Sequence, residues 1–324
     1  MQALTSRSAE APLALITLPS PKLRRDELRV KVHAIGVNPV DWKMRGAGAF
    51  LGFMQRLLGP SGPLVVGVDF AGEVVEVGAR VEGLEPGVRV VGGTDFSRKQ
   101  RGSYADEVVV RADQCARLPD AVSYEAAACL PVAAVTAWTA LTDHAGIGDG
   151  SRVLVLGASG GVGLFAIQLA RMLGAQVVGV CSARNTVLIE SLGAVALDYG
   201  AGDPLEAARA HGPFDLVLHL VGTDTYPLKA CRALLSPTGI VDLVAIRSAD
   251  YPAVLFSRQV RTILGRPTRA RLAPLVDALA RGELEPMIEA RFALADGEQA
   301  HQRSRTGKVV GKLLLIPGAP REDA

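Results

Sequence analysis

The sequence predicts an α/β protein: a doubly wound parallel sheet of Rossmann type joined to a β-rich, partly barrel-like domain. Three observations carry that prediction. Between residues 121 and 257, short apolar runs alternate with segments of helical spacing, the pattern of strand–helix–strand units feeding one parallel sheet. Inside that region, residues 151–183 read as strand, glycine turn, helix and second strand. Before residue 120, many short strands are separated by turn signals such as Glu85-Pro86-Gly87.

In chain order, the first predicted strand is 28–35, with Val30, Val32 and Ala34 on one face. Further strands follow at 72–77, 88–91 and 104–110. Residues 46–63 stand apart. There glycines and prolines bracket Phe50, Leu51, Phe53, Met54, Leu57 and Leu58 at spacings that suit a short amphipathic helix. Such a helix either caps its own domain or walls a substrate pocket. Helices are expected at 123–129 and 132–145. After the glycine-turn unit come helix 186–192, strand 194–198, helix 204–210, strand 216–221, helix 227–235 and strand 240–245. The helix at 273–280 and the strand at 310–316 are too few for a third domain. Residues 258–324 are therefore expected to return and complete the domain begun by 1–120.

Composition narrows the function classes. Of 324 residues, 49% are hydrophobic and 21% charged, with a net charge of +2, so nothing points to nucleic acid or an anionic membrane as partner. The first twenty residues lack a basic start, an apolar core and a cleavage site, which predicts a cytoplasmic protein. The mostly apolar stretch 126–141 is alanine-rich and interrupted by Pro131, so it reads as buried helices and not a membrane span. Cys115, Cys129, Cys181 and Cys231 form neither a C-x-x-C pair nor a zinc-finger spacing, and read as reduced, buried small side chains.

The turn Gly157-Ala158-Ser159-Gly160-Gly161-Val162-Gly163 predicts a dinucleotide site. Its backbone N–H groups and the following helix N-terminus suit a pyrophosphate. Gly160 leaves room for phosphates, and Gly163 lets the helix pack closely. Ala158 stands where the usual fingerprint has glycine. The cofactor's 2′ position is read at the end of the second strand, Cys181-Ser182-Ala183-Arg184-Asn185. A carboxylate there would hold a free ribose hydroxyl, but none is present. Ser182 and Arg184 suit a 2′-phosphate instead, which predicts NADPH. Tyr199, after the third strand, is placed to lie against the adenine or reach that phosphate.

These residues resemble the medium-chain dehydrogenase/reductases, specifically the zinc-independent quinone oxidoreductase branch. The resemblance runs through Ala34-Ile35-Gly36-Val37-Asn38-Pro39-Val40-Asp41-Trp42-Lys43, Gly67-Val68-Asp69-Phe70-Ala71-Gly72-Glu73-Val74, Thr136-Ala137-Trp138-Thr139-Ala140-Leu141, the glycine turn, and Gly307-Lys308-Val309-Val310-Gly311-Lys312-Leu313. Alanine at position 158 is common in this branch. The resemblance implies a GroES-like catalytic domain and an NADPH-dependent reductase of quinones or α,β-unsaturated carbonyls. Zinc-dependent relatives carry Gly-His-Glu where this chain has Gly67-Val68-Asp69, a cysteine near Val40, and often a four-cysteine lobe near 92–103. All three features are missing, and valine cannot ligate zinc.

By the same resemblance, Asn38 sits beside the nicotinamide, where its amide could donate to a substrate oxygen or hold the ribose. Asn before Pro also favours a turn on its own. Lys43 could supply a cation or proton, and Tyr104 is a weaker proton-donor candidate. Asp41 reads as a structural acceptor, and His219 as a satisfied core histidine. Thr136 is expected near the nicotinamide ribose. The backbone around Val221, Gly222 and Ala245 is expected to border the nicotinamide ring. A homodimer formed by pairing edge strands of the cofactor domain is implied. An enoyl-thioester reductase, and a non-catalytic NADPH-binding redox sensor, are the alternative functions.

Overall fold

The computed structural model describes residues 1–6, 11–45, 63–98, 100–263 and 265–320. The amphipathic stretch expected at 46–63 lies outside them except for Pro63. The chain divides into two units, Met1–Val135 with Arg266–Ala324, and Thr136–Gly265.

The first unit opens with β1 (Gln2–Ser6), β2 (Ala14–Thr17), β3 (Glu27–Val37) and β4 (Leu64–Val65). It continues through β5 (Asp69–Val77), β6 (Arg89–Gly93), β7 (Glu107–Arg111) and β8 (Cys115–Arg117). The hairpin β1–β2 joins β4 in a three-stranded sheet of order β2-β1-β4. Its alternation is too weak to be legible in the sequence: β2 is half-buried or exposed throughout, with no apolar face to reveal it.

The second unit holds β9 (Arg152–Leu156), β10 (Gln176–Cys181), β11 (Val195–Asp198), β12 (Phe214–His219), β13 (Leu235–Leu243) and β14 (Val260–Thr262). They form one six-stranded sheet of order β11-β10-β9-β12-β13-β14, every pair parallel. Outward from β9 this is the doubly wound order, with its switch point between β9 and β12. Leu154, Leu156, Val178, Val217, Val241 and Leu243 build the core on one face.

The chain then returns to the first unit with β15 (Ile288–Ala293) and β16 (Lys312–Ile316). β16 pairs antiparallel with the end of β3, Leu314 opposite Gly36. That closes a seven-stranded sheet of order β15-β16-β3-β5-β6-β8, with β7 also on β3. The expected return of the C-terminal segment is thus a strand pairing.

The division between units differs from the expected boundaries at 120 and 257. Helix Tyr124–Ala128, capped by Ser123 Oγ accepting from Ala126 N at 3.1 Å, packs on β3 and β5 of the first unit. β14 pairs with β13 and so belongs to the second. Two helices also differ in regularity or extent. The helix expected over 132–145 is regular only at Val135–Trp138, flanked by wide turns at Leu130–Ala134 and Thr139–His144. The helix expected to reach 235 ends at Arg232, because Leu235 already pairs with Phe214. All four cysteines are free and buried. No helix of the described residues is long and apolar enough to cross a membrane.

Candidate active site

The carboxyl edge of the parallel sheet collects most of the residues expected to hold a cofactor. β9 ends at Leu156, level with His219 on β12, so the turns after both strands leave the sheet side by side. The first is the glycine turn. It leads into helix Gly161–Met172 with Gly160 at the N-cap, so the first N–H groups of a twelve-residue helix face out of the turn. A Cβ on Gly160 would meet only Gly157 O, at an ordinary van der Waals distance of 3.6 Å, so no protein atom forbids a side chain there. A Cβ on Gly163 would lie 2.5 Å from the carbonyl oxygens of Gly157 and Ala158, so close packing forbids any side chain there. Ala158 is fully buried, and its methyl group lies 2.8 Å from where a Cβ on Gly179 would be. Glycine on β10 is what admits alanine in the turn.

The turn after β12 brings Val221 against the glycine turn: its Cγ1 lies 2.8 Å from where a Cβ on Gly157 would be. Gly222 follows with φ of +105°, and Ala245 is half-buried in the turn after β13. At the end of β10, Ser182 is half-buried and Arg184 exposed. Tyr199 is 56% exposed, and its N–H donates to Cys181 O at 3.1 Å, so it stands beside the same strand end. Thr136 is 6% exposed and packs against Gly265.

In the β-rich unit the expected catalytic residues fall into a buried polar network. Asn38 lies between β3 and helix Pro39–Arg45, and its N–H donates to Asp41 Oδ2 at 2.7 Å. The Asn38 side chain points into the core. Its Nδ2 donates to Asp69 Oδ2 at 2.9 Å and approaches Gly36 O at 3.5 Å, while its Oδ1 accepts from Lys312 Nζ at 2.5 Å. Lys312 Nζ also donates to Val37 O at 3.2 Å and pairs with Asp69 Oδ2 at 3.1 Å. Asn38, Asp69 and Lys312 are at most 3% exposed. A Cβ on Gly36 would sit 2.6 Å from Asp69 Oδ2, so this triad also needs glycine on β3.

A second arm runs from Asp41. Tyr104 Oη donates to Asp41 Oδ2 at 3.0 Å and contacts His301 Nε2 at 3.1 Å. His301 Nδ1 lies 3.0 Å from Arg45 Nη1, which also pairs with Glu298 Oε2 at 2.9 Å. A guanidinium can only donate, so Nδ1 accepts, Nε2 carries the hydrogen, and every donor in the arm points toward Asp41. Burial, with the charge of Asp69, pushes the Asp41 carboxyl up to about 7. Burial, and then Asp41, raises Tyr104 well above the ordinary phenol. Burial and Arg45 lower His301 to about 4, so it is neutral. Burial also pushes Asp69 up, against the pull of Lys312 and Asn38.

This geometry gives the partners of two of the expected residues. The amide of Asn38 is hydrogen-bonded to Asp69 and Lys312. Tyr104 is fully buried with its hydroxyl donated to Asp41. Lys43 is exposed, its ammonium 5.6 Å from the Trp42 ring, and is not drawn into the network. Sequence reading missed Asp69, Lys312, Arg45 and His301 as site residues. The available signal was a lysine opening an otherwise apolar strand, Lys312 before Leu313-Leu314-Leu315.

Two protein families match the chain: "Alcohol dehydrogenase GroES-like domain" over residues 24–120 and "Zinc-binding dehydrogenase" over 192–315. A chloroplastic quinone-oxidoreductase homolog of Spinacia oleracea is 33% identical over 315 residues, 93% of this chain and 92% of that one. The chain belongs to the quinone oxidoreductase branch of the medium-chain dehydrogenase/reductase superfamily. The quinone oxidoreductase of Coxiella burnetii superposes with a TM-score of 0.86 at 31% identity, covering 98% of this chain and 99% of the other. That of Escherichia coli, solved with NADPH, gives 0.81 at 25% identity over 98% and 100%. Among the described residues of this oxidoreductase, no group of three or more His, Cys, Asp or Glu is placed to hold a metal. Val68 stands where the zinc-dependent relatives are expected to carry histidine, and a valine side chain offers no metal donor.

Proposed function

We propose that this protein is an NADPH-dependent reductase of quinones or α,β-unsaturated carbonyls that works without zinc. The observation that carries the reading is the carboxyl edge of the parallel sheet: a glycine turn ending at a helix N-terminus, with Gly160 at the N-cap, and no carboxylate from Ser182 to Asn185 at the end of β10. The NADPH-bound Escherichia coli relative supports the choice of cofactor. The cofactor would supply a hydride to an electrophilic carbon of the substrate. The helix N-terminus at Gly161 would hold the pyrophosphate, and Arg184 with Ser182 the 2′-phosphate. Thr136 and the backbone at Val221, Gly222 and Ala245 would border the ribose and ring. In the β-rich unit Lys43 supplies the cation or proton that the reduced oxygen requires, while Asn38 and Tyr104 hold their turn in place.

The test follows reduced-cofactor absorbance with a panel of quinones and enones. Turnover is expected with NADPH. Arg184→Ala should raise KM for NADPH roughly tenfold, the worth of a charge-assisted contact, and leave KM for NADH unchanged. NADPH binding with no turnover on any substrate, or an Arg184→Ala effect equal for both cofactors, overturns the reading.

The working form is proposed to be a homodimer. Among the described residues β14 pairs with β13 alone, at one edge of the sheet, and helix Tyr251–Phe256 before it buries none of its residues. Leu255 and Phe256 are 73% and 87% exposed, a large apolar surface beside a free strand edge. Sedimentation should give twice the 33.9 kDa chain mass, and Phe256→Asp should give the single mass. A monomeric wild type refutes the assembly and leaves the chemistry untouched.

A further inference from the structure

Two turns at the carboxyl edge of the sheet, 220–226 after β12 and 244–250 after β13, are joined by the buried side chain of Asp250. Asp250 is 6% exposed although it lies in a turn. Its carboxylate accepts from Arg247 N at 2.9 Å, closing its own turn. It also accepts from Thr223 Oγ1, at 2.9 Å to Oδ1 and 3.1 Å to Oδ2, across 27 residues of sequence. An exposed pair, Arg247–Asp224 at 3.9 Å, also spans the turns and contributes little, and Val244 N donates to His219 O at 3.1 Å at their base. The base of the first turn is held separately. His219 Nε2 lies 2.9 Å from Tyr226 O, and Thr225 N donates to Gly222 O at 3.0 Å. Those bonds shape the turn, but they do not fix where its tip, Val221 to Thr223, stands relative to its neighbour.

We propose that Asp250 is a positioning residue for the nicotinamide half of the cofactor, acting through Thr223. The inference rests on the reading that Val221, Gly222 and Ala245 border the nicotinamide. The physical argument is one of pre-organisation. Gly222 has a backbone that few residues adopt, with φ of +105°, and Val221 is 43% exposed at the sheet edge. Without the Asp250–Thr223 bond the tip of this turn must be ordered by the ligand itself, and that ordering cost is subtracted from affinity. On the same reading the adenosine half would be held by Ser182 and Arg184 at the end of β10, away from these two turns. It should not sense the change.

The test compares two ligands of the folded protein by calorimetry: NADPH, and 2′-phospho-ADP-ribose, which lacks the nicotinamide. Asp250→Ala should weaken NADPH about tenfold and leave 2′-phospho-ADP-ribose within twofold. Asp250→Asn, which keeps one acceptor oxygen, should recover part of the loss. Thr223→Val removes only the hydroxyl and tests the same bond if Asp250→Ala fails to fold; combined with Asp250→Asn it should be less than additive. Equal weakening of both ligands means that Asp250 serves only the fold and sinks the proposal. No change for NADPH in either single variant also sinks it. A wild type that binds 2′-phospho-ADP-ribose but gains nothing from the nicotinamide would instead refute the assignment of Val221, Gly222 and Ala245.

Discussion

Replacing Lys312 by methionine is expected to cost the β-rich unit roughly 3–5 kcal/mol of stability, because it leaves a buried carboxylate without its cation. Lys312 is 3% exposed, and each of its three contacts is to a buried acceptor: Val37 O, Asn38 Oδ1 and Asp69 Oδ2. Methionine fills similar volume, so the loss is electrostatic and not a cavity. The midpoint of thermal unfolding should fall by roughly 10 °C. The double variant Asp69→Asn with Lys312→Met is the discriminating measurement. It removes the orphaned charge and should recover at least half of the loss, since removing a whole buried pair costs far less than removing one partner. Additive losses in the double variant would show that Lys312 acts through packing alone. The same substitution should disturb the proposed chemistry, because the amide of Asn38 is held between Lys312 and Asp69.

The parallel sheet was legible because its signals are local. A strand buried on both faces reads as an apolar run, and a tight turn that admits a phosphate must be glycine-rich. The turn from Gly157 to Gly163 therefore announces itself within seven residues. Even the departure at Ala158 has a nearby cause, the missing side chain of Gly179 on the adjacent strand. The end of β10 is local too, so Ser182 and Arg184 could be located by counting from the turn.

The β-rich site was not legible, because its partners are far apart in sequence. Asn38 reads as a polar residue before proline, suited either to a turn or to a ligand. What decides is Asp69, thirty-one residues on, and Lys312, 274 residues on, and neither spacing has a periodicity to betray it. Tyr104 fared likewise: its hydroxyl faces Asp41 and His301 from two other elements. The expected boundaries at 120 and 257 and the division of the chain after Val135 and Gly265 differ for a related reason. Helix Tyr124–Ala128 and β14 each look like the start or end of a pattern, but only packing and strand pairing assign them.

Substituting Asp41 by asparagine should remove the part of the stability that is lost as pH rises between about pH 4 and 8. The groups around Asp41 neutralise one another in pairs: Lys312 with Asp69, and Arg45 with Glu298. For Glu298, burial pushes upward, but the Leu13 N–H and Arg45 outweigh it and hold the carboxyl below the ordinary range. Asp41 is left as the carboxyl without a counter-ion of its own, fully buried and raised from 3.8 to about 7. Between those two values the folded protein holds a proton that the unfolded chain has lost, so stability falls as pH rises. The favourable contribution is complete below the lower value and is lost through the upper one, with a total on the order of 4 kcal/mol. His301 works in the opposite direction. Lowered from 6.5 to about 4, it contributes stability above the upper value that disappears as pH falls through the lower. The two slopes partly cancel in the wild type, and only the difference between wild type and Asp41→Asn isolates the carboxyl. The asparagine oxygen can still accept from Tyr104 and from Asn38 N. Its NH2 inherits the place of Oδ1, which has no partner, at a cost of about 1–3 kcal/mol that does not vary with pH. Denaturant unfolding across this range should therefore give curves that converge or cross as pH rises, the wild type losing ground to the variant. Curves that stay parallel from pH 4 to 8 would mean that Asp41 remains ionised in the folded protein. The donor chain from Arg45 through His301 and Tyr104 would then have to stabilise a bare carboxylate by hydrogen bonding alone.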